Sequence, residues 1–209
     1  MMRAFLPLAL LLSSGLQAQI IPFESNGLRY QALTKGGVTV MYAALPARLK
    51  DYAIIQVSIS NGSPVPWVMK AEDFGYRKQD GETLQASPAL TVVISLLNKA
   101  SRHDVIKLVT TYENSVFGNV NMQTTNGFES RREAALADGV STRIKAGAAA
   151  SAIALIPTKL LPGQSTDGAV FFMDNAKPMG PGTIFLHAAG EVFEFPTDGE
   201  QFSPHTASK

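Results

Sequence analysis

The sequence contains no cysteine, and this absence excludes several kinds of chemistry at once. Disulfide bonds, thiolate nucleophiles, cysteine-ligated zinc and iron–sulfur clusters all require that residue. A lipid anchor attached through an N-terminal cysteine is excluded for the same reason. If the protein is exported, its core has to hold by packing alone.

Histidine and tryptophan are also scarce, and the positive and negative charges nearly balance. The chain has three histidines and one tryptophan, and its formal net charge is +1. This balance gives no overall attraction to nucleic acid or to an anionic membrane. The zinc-protease HExxH motif, the Walker A loop, the dinucleotide-binding turn and the G-x-S-x-G nucleophile motif are all missing. The sequence therefore predicts no catalytic residues, no metal site and no cofactor.

The first residues, MMRAFLPLALLLSSGLQAQ, have the layout of a secretory signal peptide. Arg3 precedes an apolar run from Ala4 to Leu12, small and polar residues follow, and Ala18 suits the position before the cut. The apolar run is much shorter than the ~20 residues that span a bilayer. We expect cleavage after Ala18, export to the periplasm or the cell exterior of a bacterium, and no transmembrane span in the mature chain. An uncleaved anchor or a buried N-terminal segment is the alternative.

The next part of the chain reads as strands. Apolar, β-branched and aromatic residues recur with a period close to two, which is typical of half-buried strands. Asn-Gly-Ser-Pro at 61–64 and Asp80-Gly81 have the composition of turns. The predicted strands are 28–33, 37–45, 52–60 and two short ones within 67–86.

After Ala86 the pattern changes to a helical period. Ser87-Pro88 is a good helix start, and Leu90, Val93 and Leu97 then share one stripe. A second helix is predicted from Ser101, and a third is predicted from Asn126 to the region before Pro157, which ends it. Residues 87–156 are thus predicted to be a helical insertion of about three helices.

Strand-like segments return at 158–161, 168–174, 183–189 and 191–195, with Pro162-Gly163 as a turn and Gly168 at the start of the second. Neither group of strands alone would bury enough surface, so we expect the two groups to pair across the insertion. The predicted organisation is a signal peptide at 1–18, one domain at 19–196 and a flexible tail at 197–209.

The two strand regions resemble immunoglobulin-like domains of exported bacterial proteins of unknown function. The resemblance lies in IIQVSISNGSPVPW (54–67), DFGYRKQDGE (73–82) and LLPGQSTDGAVFF (160–172), which are strands joined by polar or Pro-Gly turns. The cysteine pair of antibody domains is missing, and the helical insertion has no counterpart in the minimal fold. The resemblance implies a mainly β fold, an antiparallel immunoglobulin-like β-sandwich that carries the helical insertion, and a role in binding or assembly.

A basic cluster in the insertion is the candidate binding site. Arg131, Arg132, Arg143 and Lys145 crowd one region, and a continuous helix would place Arg132 and Arg143 near one face. Such a strip suits an acidic partner or a phosphate. The alternative is a solvated face laced with ion pairs to neighbouring glutamates, each worth only ~0.3–0.5 kcal/mol.

The remaining residues that could take part in catalysis or binding are weaker candidates. His103 lies beside Asp104, but neighbouring residues on a helix point about 100° apart. His187 falls in a strand with alternating apolar and polar residues. Its side chain is predicted to face solvent or to have its hydrogen-bonding groups satisfied within the strand. Trp67, at a strand start, is predicted to anchor the edge of the core rather than to bind a ligand. The small-residue segment 146–156 is predicted to pack closely on the rest of the fold, or else to form an exposed face for a partner or a membrane surface.

Three functions remain open from the sequence. The first is an exported, non-enzymatic binding or assembly module whose partner is another exported or envelope protein. The second is a structural component of a cell-envelope complex. The third is a periplasmic hydrolase with a site between the sandwich and the helices, and a pocket where a carboxylate meets His103 or His187 would favour it.

Overall fold

The computed structural model of the chain describes residues 18–45, 51–99, 151–175 and 179–199. Over these residues the fold is mainly antiparallel β, with few helices. Most of the predicted signal peptide, residues 100–150 of the predicted insertion and most of the predicted tail lie outside the described residues.

The larger sheet has five strands in the order β1-β2-β3-β4-β9. Their bounds are β1 Ile21–Ser25, β2 Leu28–Lys35, β3 Val38–Ala44, β4 Tyr52–Asn61 and β9 Ser165–Met173. The first two hairpins turn on Asn26-Gly27 and Gly36-Gly37, and all four turn residues have positive φ. This is the two-residue turn that matches the twist of antiparallel strands, and it favours Asn-Gly and Gly-Gly pairs, which the sequence analysis did not use.

The second sheet has four strands in the order β11-β10-β6-β7. Their bounds are β6 Phe74–Lys78, β7 Thr83–Gln85, β10 Gly182–Ala188 and β11 Glu191–Thr197. A third, two-stranded sheet joins β5 Trp67–Met69 to β8 Thr158–Leu160. The 3-10 turn Ala71–Asp73 precedes β6, and helix α1 spans Ala89–Lys99.

The prediction that the strands on the two sides of the insertion pair with each other is confirmed. β4 pairs with β9 over nine residues, from Tyr52 opposite Met173 to Ser60 opposite Ser165. β6 pairs with β10, and β5 pairs with β8. Each of the three sheets therefore contains chain from both sides of the insertion.

The main core lies between the five-stranded and four-stranded sheets. Alternate side chains of β3, β4 and β9 point into it and meet alternate side chains of β6, β10 and β11. Tyr42 contacts Phe195 across the layer with ring centroids 5.0 Å apart, and Tyr76 approaches Phe172 at 6.5 Å. Trp67 packs partly buried against this core, in agreement with its predicted place at the core edge.

A second core covers the opposite face of the five-stranded sheet. Val92 and Leu96 of α1 and residues 152–154 pack there on side chains such as Ile54 and Phe171. β4 and β9 are consequently buried on both faces. The two ends of the insertion, as far as the structure describes them, are thus fixed on one face of one sheet.

Several predictions need correction. A three-helix insertion is not supported: the described part contains α1 and the last residues of one further helix, at 151–153. Leu90 belongs to the predicted apolar stripe of α1 but is 70% exposed, because the buried face is centred on Val92 and Leu96. Strand β1 was not predicted, and β9 begins at Ser165, three residues before Gly168.

Gly168 is required for a reason other than starting a strand. The backbone of Leu155 passes so close that an added Cβ would lie 2.5 Å from its Cα. The Leu155 N–H donates to the carbonyl of Ala169 at 2.9 Å. This close approach ties the returning end of the insertion to the free edge of β9.

No helix in the described ranges is long and apolar enough to cross a membrane.

Candidate functional site

The predicted basic cluster, Arg131, Arg132, Arg143 and Lys145, lies outside the described residues, and so does His103. Its role as a binding site stays a prediction. The site has to be sought on the parts of the two sheets and of α1 that the structure describes.

His187 lies exposed on the outer face of the four-stranded sheet, as the alternation predicted. Its ring meets the ring of Phe185 edge to face, with centroids 5.6 Å apart. Burial raises the pKa of the Asp73 carboxyl, while the Lys70 backbone N–H and the charges of Lys70 and His187 act against that rise. The charge of His187 therefore reaches the Asp73 carboxyl, but His187 itself lies on an open sheet face rather than in a pocket.

The centre of that outer face is occupied by one aromatic ring over one glycine. Phe185 lies on Gly75, the residue opposite it on β6, so closely that a Cβ at Gly75 would overlap the ring. The guanidinium of Arg77 lies 5.8 Å from the ring centroid and donates to Glu194 Oε1 at 2.6 Å. The ring lies on Gly75 with Arg77 close to it and is only partly exposed, which makes it a packed surface element instead of a free stacking platform.

A groove of about 700 Å³ opens where β6 ends. Lys78 lies in it and donates from Nζ to Glu82 Oε2 and to Asp174 Oδ1, each at 2.9 Å. The Asp174 side chain is 7% exposed and the Glu82 side chain 57%. Lys78 thus links the four-stranded sheet to the chain that leaves β9, and hydrogen bonds to the two carboxylates raise its pKa.

Tyr76 lines the same groove. Its hydroxyl donates to the carbonyl of Gly180 at 2.8 Å, and burial raises its pKa. A protonated lysine and a neutral phenol offer no nucleophile and no base at neutral pH. Lys78, Glu82 and Asp174 pair with one another in this groove, as in a structural ion-pair site.

Asn61 organises the turn after β4. Its Nδ2 donates to the carbonyls of Val65 and Leu160 at 3.0 and 3.1 Å, and its Oδ1 accepts from the Ser63 hydroxyl at 2.6 Å. Asn61 is fully buried, so each of these bonds satisfies a group that water cannot reach. The rigid turn and the two-stranded sheet beside it leave Val65, Val68 and Leu161 exposed, three single apolar residues of an ordinary kind.

Helix α1 has two apolar faces. Val92 and Leu96 are buried on the sheet, while Leu90 and Ile94, one turn apart, are 70% and 49% exposed. The buried pair holds the helix in place and the exposed pair faces outward, so α1 presents a fixed apolar stripe at the point where the insertion begins.

Sequence reasoning missed the Lys78 groove altogether. Lys78 and Asp174 are separated by 96 positions, and nothing local to either residue indicates the other. Among the described residues, no three histidine, aspartate or glutamate side chains are grouped so that they could hold a metal ion.

Comparison of the chain with models of protein families, with curated proteins and with solved structures finds no match in any of the three.

Proposed function

We propose that the chain is an exported, non-enzymatic binding or assembly module with an immunoglobulin-like sandwich as its scaffold. Its partner is another exported or envelope protein, bound through the face that carries α1 and the insertion. The basic cluster Arg131, Arg132, Arg143 and Lys145 belongs to the same proposal as a candidate contact for acidic groups of the partner.

The strand order supports the immunoglobulin-like part. In such domains the second strand pairs with the fifth, and the third pairs with the sixth, which in turn pairs with the seventh. Here β4 pairs with β9, while β6 pairs with β10 and β10 with β11. With β3, β4 and β6 as the first three strands and β9, β10 and β11 as the fifth to seventh, these pairings follow that order. Among the described residues no strand takes the fourth place beside β9, and β1, β2, β5, β7 and β8 are additional. The insertion separates the two groups.

The observation that carries the binding role is the outward stripe of α1. Leu90 and Ile94 are exposed on a helix whose other face is anchored by Val92 and Leu96. An apolar stripe on a fixed helix is a surface that a partner can bury without paying to order the helix. In the Lys78 groove, by contrast, the lysine is paired with the carboxylates of Glu82 and Asp174.

The experiment uses the mature full chain as bait in the native envelope, with crosslinking, followed by reconstitution with the purified captured protein. We expect Leu90→Glu with Ile94→Glu to weaken the reconstituted complex at least tenfold, because burying a carboxylate in the contact costs on the order of 1.4 kcal/mol or more. Ile21→Glu, which changes an equally exposed apolar residue on β1, is the matched control and should bind as the parent does.

A complex that tolerates the double substitution would contradict the α1 surface, and hydrolysis of an envelope polymer by the purified chain would contradict the non-enzymatic role. A partner that stays bound in fixed stoichiometry through purification would instead favour a structural component of an envelope complex. Circular dichroism of each variant confirms that the fold is retained.

A further inference from the structure

The tripeptide Ser-Asn-Gly occurs twice within the described residues, in two opposite environments. Ser25-Asn26-Gly27 forms the tight turn between β1 and β2, and Ser60-Asn61-Gly62 ends β4. Glycine after asparagine leaves the next backbone nitrogen unshielded by any side chain. Asparagine is also among the residues that are lost chemically on heating. Local sequence is the same at both places, so any difference in reactivity has to come from the fold.

The first copy is open. Asn26 and Gly27 are both exposed, and an added Cβ at Gly27 would have no atom within 4 Å. Both residues have positive φ, 50° at Asn26 and 72° at Gly27, in a turn on the outermost hairpin of the sheet. Both residues of this copy therefore lie on the exposed surface, whereas Asn61 of the second copy is buried.

In the second copy the asparagine is buried and the glycine, although exposed, has its N–H hydrogen-bonded. Asn61 is fully buried, and its amide group makes hydrogen bonds to Val65, Leu160 and Ser63. The Gly62 N–H donates to the carbonyl of Gly37 at 2.9 Å. Here the backbone nitrogen of Gly62 and the side-chain amide of Asn61, the two groups that would react with each other in deamidation, are both hydrogen-bonded.

We propose that Asn26 is a site of spontaneous deamidation in the folded protein, and that the fold protects Asn61 from the same reaction. The Gly27 backbone nitrogen loses its proton and bonds to the Asn26 side-chain carbonyl carbon. The bond from that carbon to Nδ2 then breaks, and the nitrogen leaves with the proton as ammonia. Water opens the resulting succinimide to aspartate or to isoaspartate.

The isoaspartate product has a structural consequence. It adds one methylene to the main chain inside a two-residue turn, so Ser25 can no longer pair with Leu28 in the present register. β1 has only β2 as a neighbour, so its loss leaves the rest of the sheet paired. Tyr30 is 2% exposed and stacks on Phe23 of β1 at 5.1 Å, and it becomes accessible when β1 detaches.

The test incubates the purified mature chain in mildly alkaline buffer, in the native state and in urea, and follows tryptic peptides by mass spectrometry. The peptide that ends at Arg29 reports Asn26, and the peptide spanning 51–70 reports Asn61. In the native state we expect Asn26 to convert at least about tenfold faster than Asn61, since Asn61 reacts only after opening of the structure. In urea the two peptides should convert at similar rates.

Equal native rates, or an Asn26 that stays intact in the native state while urea converts both, would overturn the proposal. Hydrogen exchange adds a second readout: after conversion, the amides of Ile21 and Phe23 should lose protection while those of β4 keep it. The corresponding tryptic peptide of Asn26→Asp serves as the standard for the aspartate product. A product peptide that elutes at a different position from this standard contains isoaspartate.

Discussion

Thr166 is one of three described residues, with Tyr52 and Trp67, that have a buried polar side-chain atom without a hydrogen-bond partner. It lies opposite Ile59 on the inner face of β9 and is fully buried, yet its hydroxyl has no hydrogen-bond partner. A buried hydroxyl without a partner loses its hydrogen bonds to water and regains none, which destabilises the folded state. The surrounding apolar side chains would accept a methyl group of the same volume.

We therefore expect Thr166→Val to raise the free energy of unfolding by about 1 kcal/mol. Chemical denaturation of the parent and the variant measures this. Thr34→Val is the matched control, because the Thr34 hydroxyl is exposed and lies 2.9 Å from that of Thr39. A Thr166→Val protein less stable than the parent would show that the hydroxyl has a role that the structure does not reveal.

Ala189 is unfavourable for a different reason. It has φ of +51° in the turn between β10 and β11, the conformation that the other two-residue turns assign to asparagine or glycine. For an L-residue with a Cβ this conformation is unfavourable by roughly 1–2 kcal/mol. Ala189 disfavours the backbone conformation that the turn requires. The pairing of β10 with β11 on either side therefore stabilises the turn.

At the scale of the elements, the edge strands explain how two open sheets avoid pairing with other chains. Pro22 in β1 and Pro196 in β11 both occupy positions where the register points the backbone nitrogen away from the neighbouring strand. Gln31 and Lys35 of β2 donate to the outward carbonyls of Pro196 and Val192. Each edge thus lacks one outward donor, and β11 also has two outward acceptors occupied, which makes both poorer templates for strand addition.

The other two edges are protected differently. The free side of β9 receives hydrogen bonds from the backbones of Ser87 and Leu155, on the two sides of the insertion. β7 is only three residues long. A partner therefore meets a face of this scaffold more readily than an edge, in line with the proposed contact on α1.

Pro22→Val tests the protection of β1. The substitution restores an outward N–H and adds a β-branched side chain on the free edge, so we expect self-association to increase with protein concentration relative to the parent. Sedimentation velocity over a concentration series measures this. Ile21→Val is the control, because the backbone of residue 21 faces β2. Identical sedimentation of Pro22→Val and the parent would mean that proline is not what protects this edge.

At the scale of the whole molecule, the two sheets are joined by buried phenols and one ion-pair site whose protonation is linked to folding. Burial raises the pKa of Tyr42 and of Tyr76 above the ordinary 10.0, and Asp198 adds to the effect at Tyr42. Hydrogen bonds to Glu82 and Asp174 raise the pKa of Lys78 above 10.5. In each case the folded state holds its proton more tightly than the unfolded state does.

The sign of the pH dependence follows from this. A group with a raised folded-state pKa contributes its full stability below the unfolded pKa and loses it as the pH rises toward the folded one. We expect the free energy of unfolding to fall above about pH 10, by up to ~1.4 kcal/mol per pH unit for each such group. Urea titrations at a series of alkaline pH values measure the slope, which Tyr42→Phe should make shallower. An unchanged slope in Tyr42→Phe would exclude Tyr42 as a source.

Strand positions and turns were largely predictable from local sequence. Segments such as 52–60 and 183–189 carry their own signal, because a sheet with a buried face requires apolar residues at alternate positions and turns require glycine, proline or asparagine. Asn26-Gly27 and Gly36-Gly37 were signals of the same kind, and reading them as hairpins would also have revealed β1. Pairing across the insertion followed from the need of each half to cover its apolar face.

Only the tertiary structure decided which face of α1 is buried, that the five-stranded sheet has two cores, and that Lys78 meets Asp174. The helix is apolar on more than one side, so its periodicity leaves the choice between Leu90 and Val92 to whatever packs against it. Lys78 and Asp174 come together because β6 and β9 end at the same side of the molecule, and contacts between distant segments leave no mark on the local pattern of either. The sequence by itself determined where the chain forms strands and turns, since those depend on neighbouring residues, and the fold determined which of its surfaces remain open.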